Sequence, residues 1–139
     1  MTWFYDHYKD VSAIGIRTER LVHESKSAFQ TIKVFDTRGH GRLLTLDDMV
    51  MLTELDEFVY HELLTHIALL AHPAPRQVLV VGGGDGGCVR EALKHPLVER
   101  VVQCEIDAEV TRVCQEFIPS VAGQLSDPRC ELVFADAVA

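Results

Sequence analysis

The sequence predicts an α/β protein in which a small antiparallel β-sheet domain precedes the first half of a doubly wound α/β domain. Three observations lead to this prediction. Residues 1 to about 53 alternate apolar and polar residues between turn signals, as strands do. A helical apolar repeat and a proline-rich connector follow at 54–76. Residues 77–139 then show the order β-α-β-α-β, which is typical of half of a doubly wound domain.

The first domain contains one clear half-buried strand and two shorter extended segments. Ile32 and Val34 fall on one face of the segment 30–35, and polar or aromatic residues fall on the other. Turn signals separate this strand from the extended segments 42–46 and 49–52. The pattern predicts a small antiparallel sheet.

The segment 54–76 joins the two domains. Thr53 followed by acidic residues predicts a capped helix start. The helix is predicted to end before Pro73, in a stiff connector at 72–76 that marks the domain boundary. Its apolar residues recur at helical spacing: Leu55, Phe58, Val59, Leu63, Ile67 and Leu70.

The second domain begins with Val78–Val81, a continuous aliphatic run that predicts a strand buried on both faces of a parallel sheet. A glycine cluster and a helical segment to His95 come next. A second strand is predicted at 100–105, a helix capped by Asp107 follows, and a third strand is predicted at 131–135.

Composition argues against several classes of function. The 139 residues carry a formal charge of -8 and no basic run, which argues against nucleic acid and anionic membrane as partners. No apolar stretch approaches the roughly 20 residues needed to cross a bilayer, and the N-terminus lacks signal-peptide features, so we expect a cytoplasmic protein. The four cysteines lack C-x-x-C spacing and are expected to be core residues. His61 and His66 are five residues apart, which turns them away from each other on a helix, so no metal is expected.

A glycine motif opens the second domain. Gly82, Gly84 and Gly87 satisfy G-x-G-x-x-G directly after a predicted strand, and Glu105 lies at the end of the next strand. A carboxylate at that point can accept hydrogen bonds from both hydroxyls of a ribose. The order strand, loop, helix, strand and acid therefore predicts a nucleoside site in a Rossmann-like domain.

Asp85 bears on which nucleoside is bound. A carboxylate inside the loop would repel the pyrophosphate of a dinucleotide, which argues against NAD. Ligands of the S-adenosylmethionine type carry a cationic sulfonium and no phosphate, and the decarboxylated form ends in an ammonium that Asp85 could bind. Asp85 could also cap the following helix.

Eight segments together resemble the polyamine aminopropyltransferases, the spermidine synthase family: 27–30, 54–62, 82–87, 90–91, 94–96, 102–107, 127–129 and 136–137. The resemblance covers most of the chain from about Glu24. It implies an N-terminal sheet domain used in homo-oligomer contacts and a Rossmann-like, methyltransferase-type second domain. It also implies transfer of the aminopropyl group of decarboxylated S-adenosylmethionine, a co-substrate, to putrescine or a similar diamine, which gives spermidine and methylthioadenosine. No tightly bound cofactor is expected.

The resemblance also implies roles for individual residues. Gln30 and Glu105 would hold the nucleoside beside the glycine loop, with Glu105 on the ribose. Asp136 and Ala137 would contact the adenine, Asp136 accepting from its amino group.

The amine part of the site is implied in the same way. Asp85 would bind the aminopropyl amine, and Tyr60 and His61 would line the polyamine slot.

The family's proton acceptor is an aspartate in an Asp-Ser/Cys-x-Asp-Pro-type segment after the fourth strand, expected beyond Ala139. Because that strand would pair with Val78–Val81, we expect the present chain to expose an edge and to self-associate or need a complementing partner.

Two other functions remain open. An S-adenosylmethionine-dependent methyltransferase would share the glycine loop and the ribose carboxylate. A non-catalytic binding or assembly module related to spermidine synthase would share the fold without turnover.

Overall fold

A computed structural model describes residues 2–138 of the chain. The chain divides between Asp56 and Glu57 into two compact units, which are described separately. The helix that follows Asp56, assigned above to a connecting segment, belongs to the second unit.

The first unit is an antiparallel sheet with its strands in chain order, as predicted. Each strand pairs with the next, from the long hairpin at the N-terminus to the short one before the second unit. The strands are β1 (Thr2–Tyr8), β2 (Ser12–Lys26), β3 (Thr31–Thr37), β4 (Arg42–Leu46) and β5 (Met49–Thr53).

The core of the first unit is centred on the two central strands, β3 and β4. Ile32 and Val34 on β3 are fully buried, which confirms the predicted alternation, and Leu43 and Leu44 on β4 are buried beside them. Asp47 and Asp48 form the tight turn between β4 and β5 with positive φ angles of 50° and 62°, a conformation that aspartate tolerates better than most residues.

The second unit contains a parallel sheet in the order β6-β7-β8. This is the predicted β-α-β-α-β order, with a helix before it and a short helical turn at Gly123–Ser126. The elements are α1 (Glu57–Ala71), β6 (Gln77–Val81), α2 (Gly87–Leu93), β7 (Arg100–Glu105), α3 (Ala108–Phe117), α4 (Pro119–Ala122) and β8 (Cys130–Phe134).

Helix α1 buries polar residues and exposes apolar ones. Glu57, His61 and Thr65 are its buried residues, one helical turn apart. From Phe58 onward the apolar residues lie in the helix as predicted, whereas Leu55 precedes it. Leu63 and Ile67 are nevertheless 57% and 65% exposed. The predicted cap is wrong, because Thr53 lies in β5 and its hydroxyl donates to Asp56 before the helix begins. Within residues 2–138, every helix is too short or too polar to span a bilayer.

Strand β6 differs from the prediction. It was expected to be buried on both faces, but Leu79 and Val81 are each 64% exposed. Within residues 2–138 only β7 pairs with β6, so the other side of β6 is an open edge. The expected edge strand is thus present, and its apolar side chains are exposed because nothing in the described chain covers them.

We expect the chain to self-associate through β6 as its concentration rises, because an open edge with exposed apolar side chains favours pairing. Leu79→Lys should lower the average mass measured by sedimentation velocity at equal concentration. Leu97→Lys, at an exposed apolar residue outside the sheet, is the matched control and should leave the mass unchanged. A wild-type chain that stays monomeric and unfolds cooperatively at all concentrations would contradict this expectation.

Candidate ligand site at the carboxyl end of the parallel sheet

The candidate site lies where the three parallel strands end. The sheet register aligns Val81 of β6 with Cys104 of β7, and Cys104 with Val133 of β8. The glycine loop, Glu105 and the segment after β8 therefore emerge at the same edge of the sheet. The backbone N–H of Ala135 donates to the Glu105 carbonyl at 3.1 Å, which holds the segment after β8 against the end of β7.

The Glu105 carboxylate is fixed by backbone amides. One oxygen, Oε2, accepts from the N–H of Gly84 at 2.9 Å, and Oε1 accepts from the N–H of Asp107 at 2.9 Å. Glu105 is only 8% exposed. Each carboxylate oxygen has a second lone pair, so the group can accept hydrogen bonds from two further donors, as the two hydroxyls of a ribose require.

Gly84 is required by this contact. A Cβ at this position would lie 3.0 Å from Glu105 Oε2 and 3.0 Å from Val110 Cγ1. A side chain here would push the loop away from the carboxylate and the helix. Gly82 continues the sheet instead, because its N–H donates to the Cys104 carbonyl at 2.8 Å.

Asp85 follows Gly84 in the loop, and its Oδ1 accepts two hydrogen bonds. The N–H of Gly87 donates to it at 2.7 Å, at the start of α2, and His61 Nε2 lies 3.1 Å away. Burial acts against the carboxylate, but the hydrogen bond and charge of His61, with the Gly87 amide, lower the pKa of Asp85 below its usual range. Asp85 therefore helps to cap α2 and remains ionised.

His61 is buried between two carboxylates. Its Nδ1 lies 2.5 Å from Glu57 Oε2, and its Nε2 lies 3.1 Å from Asp85 Oδ1. Burial opposes the charged imidazole, but the hydrogen bonds and negative charges of Asp85 and Glu57 outweigh it and raise the pKa of His61. The ring lies so close to Gly87 that a Cβ there would be 2.3 Å from the ring carbon Cε1.

Glu57 also binds an arginine. Arg90 on α2 donates from both terminal nitrogens to the two oxygens of Glu57, at 2.8 and 2.9 Å. Its Nε donates to Glu91 at 2.8 Å. The bidentate pairing of Arg90 with Glu57 is the strongest geometry that an arginine and a carboxylate can form. Positive and negative groups thus alternate through the contact of α1, α2 and the loop.

Three of the predicted residues are exposed. Tyr60 is 63% exposed, with its ring edge-on to His61 at 5.2 Å between centroids. Asp136 and Ala137 follow β8, and Asp136 Oδ1 accepts from the N–H of Val138 at 2.9 Å. Gln30 lies in the first unit, in the turn before β3, where its N–H donates to Ser27 Oγ at 3.1 Å.

A second cluster of ionisable groups lies further along α1. Glu62, His66 and Glu91 bring possible metal-ligating atoms within 4.8 Å of one another, an arrangement that the spacing of the two histidines alone did not indicate. His66 Nδ1 also lies 2.8 Å from His95 Nε2. Lys94 and Arg90 already donate to the Glu91 carboxylate, so that group has cationic partners within the protein.

Sequence reasoning missed Glu57 as a residue of the site. Its signal was present, since Glu57 and His61 are four residues apart and therefore share a helix face. Arg90 was noted only as part of a motif. Its partner is 33 residues away in the chain, a distance at which periodicity carries no information.

Comparison with known proteins matches both units of the chain to known families. The Spermine/spermidine synthase domain matches residues 57–139, and the Spermidine synthase tetramerisation domain matches residues 2–54. The polyamine aminopropyltransferase of Xylella fastidiosa (strain M12) is 44% identical over 99% of this chain and 49% of its own length. That of Alkalilimnicola ehrlichii is 47% identical over 99% of this chain and 48% of its own length.

Solved structures agree with the sequence relatives. Spermidine synthase from Thermotoga maritima superimposes with a TM-score of 0.94 at 36% identity, covering 97% of this chain and 48% of that one. A spermidine synthase in complex with the transition-state analogue AdoDATO gives the same values. The chain spans about half the length of the relatives it matches. With both of its units matched, the chain belongs to the spermine/spermidine synthase family.

Proposed function

We propose that this chain provides the adenosyl and aminopropyl subsites of a polyamine aminopropyltransferase. The substrates would be decarboxylated S-adenosylmethionine and putrescine or a similar diamine, and the products spermidine and methylthioadenosine. One observation supports this most directly. Two carboxylate side chains lie at the same glycine loop: Glu105, which is suited to a ribose, and Asp85, which is suited to an ammonium.

In the proposed reaction the neutral amine of the diamine attacks the methylene carbon next to the sulfonium. A C–N bond forms as the C–S bond breaks, methylthioadenosine leaves, and the nitrogen loses a proton to a base. Within residues 2–138 we assign no side chain to that base. The roles proposed for this chain are binding and orientation, which lower the barrier by fixing the reacting atoms in line.

We propose that Glu105 accepts from the ribose hydroxyls and that Asp136 and Ala137 contact the adenine. Asp85 would pair with the aminopropyl ammonium, and Tyr60 would border the diamine. In support, the residues after β8 are tied to the end of β7, so the residues proposed to contact the adenine and the ribose lie at one sheet edge.

A methyltransferase function would use the same ribose carboxylate, but Asp85 disfavours it. S-adenosylmethionine carries a carboxylate on its arm, and the decarboxylated form lacks this carboxylate. An ionised Asp85 would repel that group and attract the ammonium of the decarboxylated ligand.

We therefore expect the chain to bind decarboxylated S-adenosylmethionine more tightly than S-adenosylmethionine in calorimetric titrations. Asp85→Asn should weaken binding of the decarboxylated ligand about tenfold or more, because a charge-assisted hydrogen bond is lost. Methylthioadenosine, which has no ammonium, should bind both proteins equally. A preference for S-adenosylmethionine would instead favour methyl transfer.

Glu105→Gln should weaken the binding of methylthioadenosine and of decarboxylated S-adenosylmethionine to the same extent, because both ligands carry the ribose. We expect a loss of about tenfold or more for each. Glu131→Gln, on the exposed side of β8, is the matched control and should bind as the wild type does. Unchanged binding in the Glu105 variant would refute the proposed ribose contact.

We also propose that the first unit mediates homo-oligomer contacts. Its match to a tetramerisation domain supports this, as do the exposed aromatic residues Trp3 and Tyr5, whose rings stack on one face of β1. Exposed aromatic patches on a sheet are typical of protein interfaces.

Tyr5→Lys should reduce the oligomer mass measured by light scattering, because it places a charge within that patch. Val11→Lys, in the exposed turn of the same hairpin, is the control. Equal masses for the wild type and the Tyr5 variant would argue against this interface.

A further inference from the structure

Glu57, His61 and Asp85 form a buried chain of contacts that the proposed binding roles do not explain. The side chains of Glu57 and His61 are 6% and 3% exposed. Arg90 closes the chain at one end through its two hydrogen bonds to Glu57. Asp85, the residue proposed to meet the ligand's ammonium, lies at the other end.

The geometry determines which form of His61 fits. Both ring nitrogens face carboxylate oxygens, which only accept hydrogen bonds when ionised. A neutral imidazole carries one N–H, so one of its nitrogens would direct a lone pair at a carboxylate oxygen. Only the imidazolium, which donates from both nitrogens, satisfies the two contacts together.

The charges of the chain balance in this form. Arg90 is positive, Glu57 negative, His61 positive and Asp85 negative, so each buried charge has an opposite neighbour. A buried ion that lacks such a partner is costly. Loss of the Glu57 charge would therefore remove the main support for the proton on Nδ1 and the carboxylate that both terminal nitrogens of Arg90 contact.

We propose that Glu57 and Arg90 are positioning residues that keep His61 as an imidazolium, and that His61 in turn holds Asp85 ionised and oriented for the ligand's ammonium. This inference rests on the proposed function for its ligand, and it concerns two residues that do not touch that ligand. The imidazolium fixes the Oδ1 side of Asp85, and the N–H of Gly87 fixes it from α2. The carboxylate is thus preorganised before the ligand arrives.

The pH dependence follows from the groups around His61, namely Glu57 on its own helix, Asp85 in the loop, and Arg90 on α2 behind Glu57. The pKa of His61 is raised in the folded chain, so its stabilising contribution is complete below about pH 6.5 and is lost as the pH rises through the folded-state value. The pKa of Asp85 is lowered, so its contribution is complete above about pH 4 and is lost at lower pH. The contacts should stabilise the fold most between these limits.

The first test is the protonation state of His61 in the folded wild-type chain, measured by ¹⁵N NMR of the imidazole. Both nitrogens should carry protons at pH 6.5, and the titration midpoint should lie above the ordinary histidine value of about 6.5. Glu57→Gln should lower that midpoint, and Glu116→Gln, at an exposed glutamate paired with Arg112, should not. A singly protonated His61 in the wild type at pH 6.5 would overturn the proposal without any variant being needed.

The second test is ligand binding by the same proteins. Glu57→Gln should weaken the binding of decarboxylated S-adenosylmethionine about tenfold and leave the binding of methylthioadenosine unchanged, since only the former ligand carries the ammonium. An equal loss for both ligands would show a merely structural role and overturn the proposal. If the wild type binds neither ligand, the proposed function fails, whereas the NMR result still decides whether Glu57 sets the charge of His61.

Discussion

The arrangement of the second unit depends on the contacts made by the buried imidazole of His61. It joins three elements at once, because Glu57 begins α1, Asp85 belongs to the glycine loop, and Gly87 begins α2 beneath the ring. Replacing either carboxylate contact by an apolar one would leave a buried polar atom without a partner. The position of α1 is therefore set by directional hydrogen bonds between charged groups.

The glycine loop depends on a second carboxylate in a comparable way. Glu105 accepts from Gly84 on one side and from Asp107 on the other, so it ties the loop after β6 to the start of α3. The Glu105 carboxylate and the Asp85 carboxylate are thus both oriented by the protein's own donors. Their remaining acceptor sites point to a ligand that is rich in hydroxyl and ammonium donors. In the proposed site, stability and recognition would use the same atoms.

Local patterns predicted most of the fold, and long-range contacts account for what they missed. The strand at 100–105 and the cap at Asp107 were correctly predicted, because both depend on neighbouring residues. The glycine motif and Glu105 were found in the same way. The burial of Val78–Val81 was not, because burial depends on what covers a strand rather than on its own sequence. The partnership of Glu57 with Arg90 depends on the packing of two helices, which spacing along one of them does not reveal.

Helix α1 has a further consequence for how this protein tolerates change. Its buried positions hold Glu57, His61 and Thr65, and its apolar residues face outward from the second unit. The usual expectation for substitutions is therefore reversed within this unit: exposed Leu63 can be exchanged at little cost to its fold, whereas buried Glu57 and His61 cannot. Any scale that equates hydrophobic with structurally essential would rank the residues of this helix in the wrong order.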